Sequence, residues 1–230
     1  MSVSLLSAST ARLDFGNPAI LNTLPSAISI AFTITPTGST ANGNRFLSKW
    51  SADSITAGQA FLWYQVDTDE IAFLLHSNLP AFYFSKKTTA VNMAGGTTYR
   101  IVGTFQGGSP PVLAIWVNGV SQTLTSIDAS NVNVLQDTTT NVQVARETVE
   151  GVNGVDGVYS EVAIWLEVVP DWVARGYGQG MSPRFYRNNG ILYAPCWNTA
   201  SASLLDQWGG NVGTNSGGTT ATHPAVIYPV

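Results

Sequence analysis

Thr98-Tyr-Arg-Ile-Val-Gly-Thr-Phe-Gln-Gly-Gly108, followed by Val112-Leu-Ala-Ile-Trp-Val-Asn-Gly-Val120, carries the clearest architectural signal in the chain. In the first part Tyr99, Ile101, Gly103 and Phe105 alternate with Arg100, Val102, Thr104 and Gln106, the period-two pattern of a strand. The second part is a continuous apolar run ending in Asn118-Gly119, a pair that tolerates positive φ at both central positions and so closes a tight hairpin. Val120 to Thr125 is expected to supply the returning strand. An antiparallel sheet with both faces partly apolar must be covered by a second sheet, which predicts a sandwich. A sandwich is more often a recognition or structural module than a catalyst.

Working outward, composition fits one large all-β domain. The 230 residues are 44% hydrophobic, enough for a proper core, yet only 10% charged. Ordinary globular domains are about 25% charged. The polar surface must therefore be built largely from Thr, Ser, Asn, Gln and Gly. Such a surface can be covered by a protein partner at low ion-desolvation cost, or it can simply reflect how common small hydroxyl residues are in β-proteins.

A net charge of −4 argues against nucleic acid, and Lys86-Lys87 is the one adjacent basic pair. The lone Cys196 excludes an internal disulfide and any multi-cysteine metal site, and its neighbours Pro195 and Trp197 suggest a buried thiol. Met1 to Ser7 lacks the basic and apolar regions of a secretory signal. No run approaches the ~20 apolar residues of a membrane span. The expectation is a soluble protein made in the cytoplasm.

Strand follows strand along the chain. Ile28, Ile30, Phe32 and Ile34 alternate with Ser29, Ala31, Thr33 and Thr35 up to Pro36. Arg45–Trp50, Phe61–Val66, Ile71–Leu75, Ala81–Phe84, Asn141–Ala145 and Val158–Leu166 read as further strands. One short helix is predicted from Pro170 and Asp171 through Arg175, ending at Gly176. Gly209–Thr222 is too rich in Gly, Thr, Asn and Ser to order on its own.

The order of these segments resembles the laminin G-like, concanavalin A-like jelly rolls. The carriers are the Ala27–Thr35 strand, Phe46-Leu-Ser-Lys-Trp50, the central hairpin, and Tyr159-Ser-Glu-Val-Ala-Ile-Trp165 before a short helix. The C-terminal part is similar to versions carried by tailed bacteriophages, through Ser182-Pro183, Leu192-Tyr-Ala-Pro-Cys-Trp197 and the ending His223 to Pro229. The resemblance runs from about residue 10 onward and implies a curved, two-sheet antiparallel sandwich. Relatives of this fold include lectins, calcium-binding adhesion modules, glucanases and virion surface proteins, and fold alone does not choose among them.

Catalysis would need a site. The resemblance to the glucanases would require acidic residues alternating along one strand, so that acid and nucleophile face one groove. No Glu-x-Asp-x-x-Glu or Glu-x-Asp-x-Glu occurs. Asp67, Asp69 and Glu70 read as a solvated turn, and Glu147 and Glu150 precede a glycine-rich loop. Glu161, inside an apolar strand, needs a partner, for which Arg100 and Arg146 are candidates. His76 and His223 are too few for a histidine metal centre or relay. Neither a Gly-x-Ser-x-Gly turn nor a phosphate loop is present. No enzyme activity is expected.

Calcium is the one ion the relatives suggest, with Asp53, Asp67, Asp69, Asp137 and Asp156 as candidate ligands. They form no dense cluster, so no cofactor is expected. Sugar binding would use exposed aromatics beside polar loop side chains, because a sugar's C–H face stacks on a ring while its hydroxyls take directed hydrogen bonds. Trp63, Trp116 and Trp165 fall inside strand patterns and are assigned to the core. Trp50, Trp172, Trp197 and Trp208 remain, and Trp50 and Trp208 are taken as the rim aromatics.

The expectation is thus one all-β jelly-roll domain over residues 1–230, with at most one or two short helices and extended segments at 1–10 and 209–230. The resemblance implies a bacteriophage virion protein on the capsid surface. Its expected role is non-enzymatic: a decoration or cement protein bound to the major capsid protein through its terminal segments and long loops, with a homotrimer favoured. The alternative is a lectin-like module of a phage fibre or of host-glycan adhesion, contacting its ligand through Trp50 and Trp208. Neither nucleic acid nor membrane is an expected partner.

Overall fold

The computed structural model describes residues 2–5, 11–23, 25–38, 43–50, 59–66, 70–78, 81–89, 91–146, 154–196, 203–222 and 224–226. In chain order the elements are β1 (Ser2–Leu5), β2 (Arg12–Asp14), β3 (Ala27–Pro36), β4 (Arg45–Trp50), β5 (Gln59–Val66), β6 (Glu70–Asn78), β7 (Ala81–Thr88), β8 (Tyr99–Gln106), β9 (Val112–Val117), β10 (Val120–Ser121), β11 (Leu124–Ala129), β12 (Gln143–Val144), β13 (Gly157–Trp165), α1 (Asp171–Gly178), β14 (Gly190–Ala194), β15 (Ser203–Leu205), β16 (Val212–Ser216) and β17 (Thr219–Ala221). The eight-stranded sheet runs β10-β9-β8-β3-β13-β1-β17, with β14 beside β13. The nine-stranded sheet runs β11-β7-β6-β5-β4-β12-β2-β16-β15. The ladders are antiparallel, and the fold is a β-sandwich jelly roll.

Alternation along the strands builds the core. From β3 the Ile28, Ile30, Phe32 and Ile34 side chains point between the sheets, joined by Tyr99, Ile101 and Phe105 of β8. Phe61 and Trp63 of β5, with Phe73 and Leu75 of β6, meet them from the other sheet. Trp63 stacks on Phe73 at 4.3 Å and meets Phe32 edge-on at 5.5 Å. Gly103 faces this ring, and a Cβ there would overlap Trp63, so the alternating pattern needs its smallest member at that position. The other set of β3, β8 and β13 side chains, including Ala31, Val102 and Trp165, forms a second apolar layer under α1. This is why both faces of the eight-stranded sheet read as apolar.

The central hairpin closes where the sequence indicates. Val120 pairs with Val117, leaving Asn118 (φ 50°) and Gly119 (φ 79°) as a two-residue turn. The returning strand is shorter than expected. Only Val120–Ser121 stays with β9, and β11 crosses over to pair with β7 on the other sheet. Such a corner lets the chain leave one sheet edge and serve the other. Helix α1 also runs past Gly176 to Gly178, and the left-handed glycine that follows is Gly180 (φ 103°). Gly178 is where the helix backbone touches the hairpin turn: a Cβ there would overlap Gly119.

The described parts of the terminal segments pair within the protein's own sheets. Ser2–Leu5 is inserted between β13 and β17. In the Gly/Thr-rich tail, β16 pairs with β2 and β17 with β1, so the described parts of both ends complete the protein's own sheets. Their backbone groups, which do not order in isolation, are satisfied by these ladders.

Candidate functional site

The outward face of the nine-stranded sheet lies opposite the core and has neither α1 nor the second apolar layer over it. Because Phe61 and Trp63 point inward, Leu62 and Tyr64 point out, and the register continues this across the sheet. One row reads Arg45–Tyr64–Ala72–Lys87, and the next reads Ser48–Leu62–Leu74–Ser85–Asp128. A third row pairs His76 with Tyr83. Leu62, Ser85 and His76 are buried, whereas Tyr64, Leu74, Tyr83 and Asp128 are half-buried.

Each polar group on this face is oriented by a neighbour. The Arg45 guanidinium lies 5.4 Å from the Tyr64 ring centre. Ser85 Oγ donates to Asp128 Oδ2 at 2.7 Å, and the Asp128 amide donates back to Ser85 Oγ at 3.2 Å. Lys87 Nζ contacts Glu70 Oε2 at 2.5 Å. Burial pushes the phenols of Tyr64 and Tyr83 above their ordinary range, and the Asp128 carboxylate pushes both the same way. That shared effect places one carboxylate within electrostatic reach of two tyrosines. Both remain neutral hydroxyl donors at physiological pH.

Trp50 is a foundation of this face. It is only 7% exposed and packs its ring against His76 at 6.3 Å and Tyr83 at 6.2 Å. It is therefore not a rim aromatic: ending β4, it follows the strand's burial pattern. His76 Nδ1 pairs with Gln136 Oε1. Trp208 lies across the sandwich, half-buried against Trp165 at 5.4 Å and Tyr193 at 5.2 Å. Its loop is fixed by Asp206, which accepts from the amides of Tyr193, Trp208 and Gly209. The two tryptophans singled out in the sequence thus pack on different faces, Trp50 against His76 and Tyr83 and Trp208 against Trp165 and Tyr193, and form no common site. Trp197 lies outside the described residues. The residues that sequence reasoning missed, Tyr64, Tyr83 and Asp128, look like ordinary strand and turn residues until register brings three strands together.

One carboxylate oxygen of Glu161 is held by hydroxyls rather than by Arg100 or Arg146. Glu161 sits at a bulge of β13 with φ 53°, a conformation costly for a side-chain-bearing residue. Its Oε2 accepts from Ser182 Oγ at 2.8 Å and Tyr193 OH at 2.9 Å, while Tyr177 OH donates to its carbonyl at 3.0 Å. A small cleft beside it is lined by Thr33, Arg100, Ser160 and the Pro224–Val226 segment. Arg100 Nη2 donates to Ala225 O at 2.7 Å across its mouth. Among the described lining residues Glu161 supplies one carboxylate, not the pair that glycoside hydrolysis uses.

Two buried groups serve the scaffold. The Lys49 ammonium, fully buried, donates to Asn17 Oδ1 at 2.6 Å, Thr138 O at 2.8 Å and Thr140 O at 2.7 Å. Burial brings its pKa down to about 8, against the attraction of Asp137. Burial likewise pushes the Cys196 thiol far above its usual range, leaving it unreactive. Among the described residues no three His, Cys, Asp or Glu side chains form a metal-holding group. Asp137 is exposed and Asp156 half-buried, while Asp53, Asp67, Asp69, Glu147, Glu150 and His223 lie outside the described residues.

No protein-family model matches the sequence, and no curated protein matches it. Solved structures do share the fold. A Bacteroides ovatus protein assigned to carbohydrate binding superposes with a TM-score of 0.70 at 14% identity, over 99% of this chain and 61% of that one. The chain thus spans less than two thirds of that protein. A heptameric SAP-like pentraxin from Limulus polyphemus gives 0.59 at 14% identity, over 93% and 94% of the two chains. The enzymatically active domain of tailspike protein 2 from bacteriophage CBA120 gives 0.53 at 17% identity, over 85% of this chain and 31% of that one. At identities this low the superpositions show a shared fold and nothing more.

Proposed function

We propose that this chain is a non-catalytic carbohydrate-binding module that takes a saccharide chain across the outward face of its nine-stranded sheet. The observation that carries the reading is the row structure: half-buried Tyr64 and Tyr83 with Asp128 and Ser85 between their rows. Tyr64 and Tyr83 are two strands and four residues apart, roughly 16 Å by ordinary strand spacing, a span for several sugar units. The rings offer stacking surfaces for C–H faces, and Asp128, Lys87 and Arg45 offer directed hydrogen bonds to hydroxyls. The assignment of the Bacteroides ovatus protein to carbohydrate binding points the same way.

The capsid-decoration reading rests on the sequence resemblance and a surface poor in charge, and the described parts of the terminal segments it relied on pair within the protein's own sheets. The lectin-like alternative is therefore preferred, with Tyr64 and Tyr83 replacing Trp50 and Trp208 as the contacting aromatics. A glycan array followed by calorimetry tests it. A bound oligosaccharide should lose affinity by about ten- to hundredfold on Tyr64→Ala or Tyr83→Ala, the range for removing a buried apolar contact. Binding that both variants retain at full strength refutes the site.

A further inference from the structure

Away from the nine-stranded sheet's outward face, α1 and the single turn of 3-10 helix at Pro183–Phe185 frame a separate surface. Trp172 is 57% exposed, the most exposed tryptophan among the described residues. Its ring meets that of half-buried Tyr186 at 85° with centres 5.5 Å apart, forming an open aromatic corner. The corner is rigid at its base, because buried Trp165 donates from Nε1 to Tyr186 O at 2.7 Å. Beside it Asn188 and Asn189 each donate to Glu167 Oε2 at 2.9 Å, which fixes two amides and a carboxylate in one polar cluster.

Two exposed arginines, Arg184 and Arg187, lie beside this corner on a protein of net charge −4, while exposed Arg175 of α1 lies 5.6 Å from the Trp116 ring centre. Arg187 is aimed by a hydrogen bond from Nη2 to Trp208 O at 3.3 Å, and Arg184 lies 5.8 Å from the Phe185 ring. Asp171 and Glu167 are the acidic residues nearby. We infer that this surface binds an acidic sugar, one pyranose ring bearing a carboxylate. One ring of the corner stacks under the C–H face while the other abuts its edge. The amide–carboxylate cluster hydrogen-bonds the hydroxyls, and a guanidinium fork takes the carboxylate. A flat apolar or purely basic surface would suit a lipid or nucleic acid; this one combines rings, amides and guanidiniums within residues 167–189. The site is independent of the sheet face and does not rest on that reading.

The test follows the tryptophan indole N–H signals of the full chain by NMR during titration with glucuronic acid, glucose and sodium acetate. Trp172→Phe assigns the reporter. Glucuronic acid should move the Trp172 signal saturably, with glucose and acetate each binding at least about tenfold more weakly. Arg184→Ala and Arg187→Ala together should weaken glucuronic acid by about tenfold or more, and the Tyr64→Ala, Tyr83→Ala double variant should leave it unchanged. The inference is overturned if glucuronic acid leaves Trp172 unmoved, or if glucose binds equally well. It is also overturned if acetate alone gives the same response, which would mean a bare anion site, or if the response disappears in the double tyrosine variant, which would place the ligand on the sheet face.

Discussion

At the residue scale, Lys49 shows how a buried charge can be held by neutral acceptors: three oxygens take its three N–H groups. Its pKa falls from 10.5 to about 8, so below pH 8 both folded and unfolded chains hold the proton and the burial cost is fully present. Between about pH 8 and 10.5 the unfolded chain still binds a proton that the folded one has released. This contribution to stability therefore rises with pH, by on the order of 3 kcal/mol across the window. The raised Cys196 thiol and the buried Tyr159 and Tyr177 phenols act with opposite sign in alkali, since the unfolded chain ionises first. Comparison with Lys49→Met isolates the effect. The wild type should gain stability relative to the variant as pH rises from 8 to 10 in urea unfolding, and a pH-independent difference would disprove it. Nothing in the sequence distinguishes Lys49, because it occupies a strand position that propensity assigns to solvent as readily as to the core.

At the element scale, the alternation of β3, β5, β8 and β13 is legible because apolar burial has a period of two. The Asn118-Gly119 turn is legible because few residue pairs accept its backbone angles. Gly119→Val should cost about 1–3 kcal/mol, since it combines a β-branched residue at positive φ with a Cβ only 2.9 Å from Arg175 O. Gly178→Ala should cost a similar ~1–3 kcal/mol, because the added methyl drives the helix off the same turn. Both should lower the urea midpoint without changing the slope. A midpoint unchanged in either variant would mean that the hairpin and helix do not meet there. The short strands β16 and β17 left little sequence signal. They are ordered by pairing with distant partners, and their composition matches that of a loop.

At the scale of the whole molecule, the two chain ends lie side by side as β1 and β17 at one edge of the eight-stranded sheet. Removing residues 212–221 would strip β16 from β2 and β17 from β1 at once. The truncated protein should melt at lower temperature and aggregate through the exposed strand edges. A melting temperature equal to that of the full chain, with no aggregation, would show that the tail does not complete the sheets. The two tryptophans expected at a rim instead stand on opposite sides of this sandwich, which one-dimensional spacing does not reveal. The binding face arises only after β4, β5, β6, β7 and β11 have fixed their register. Saturation-transfer NMR between the full chain and an array-selected oligosaccharide tests whether sugar binds on this face. Transfer to sugar protons is expected from the rings of Tyr64 and Tyr83, lost in the variants that lack them. Transfer mapping to any other face, or an array on which no glycan binds, would contradict the proposal.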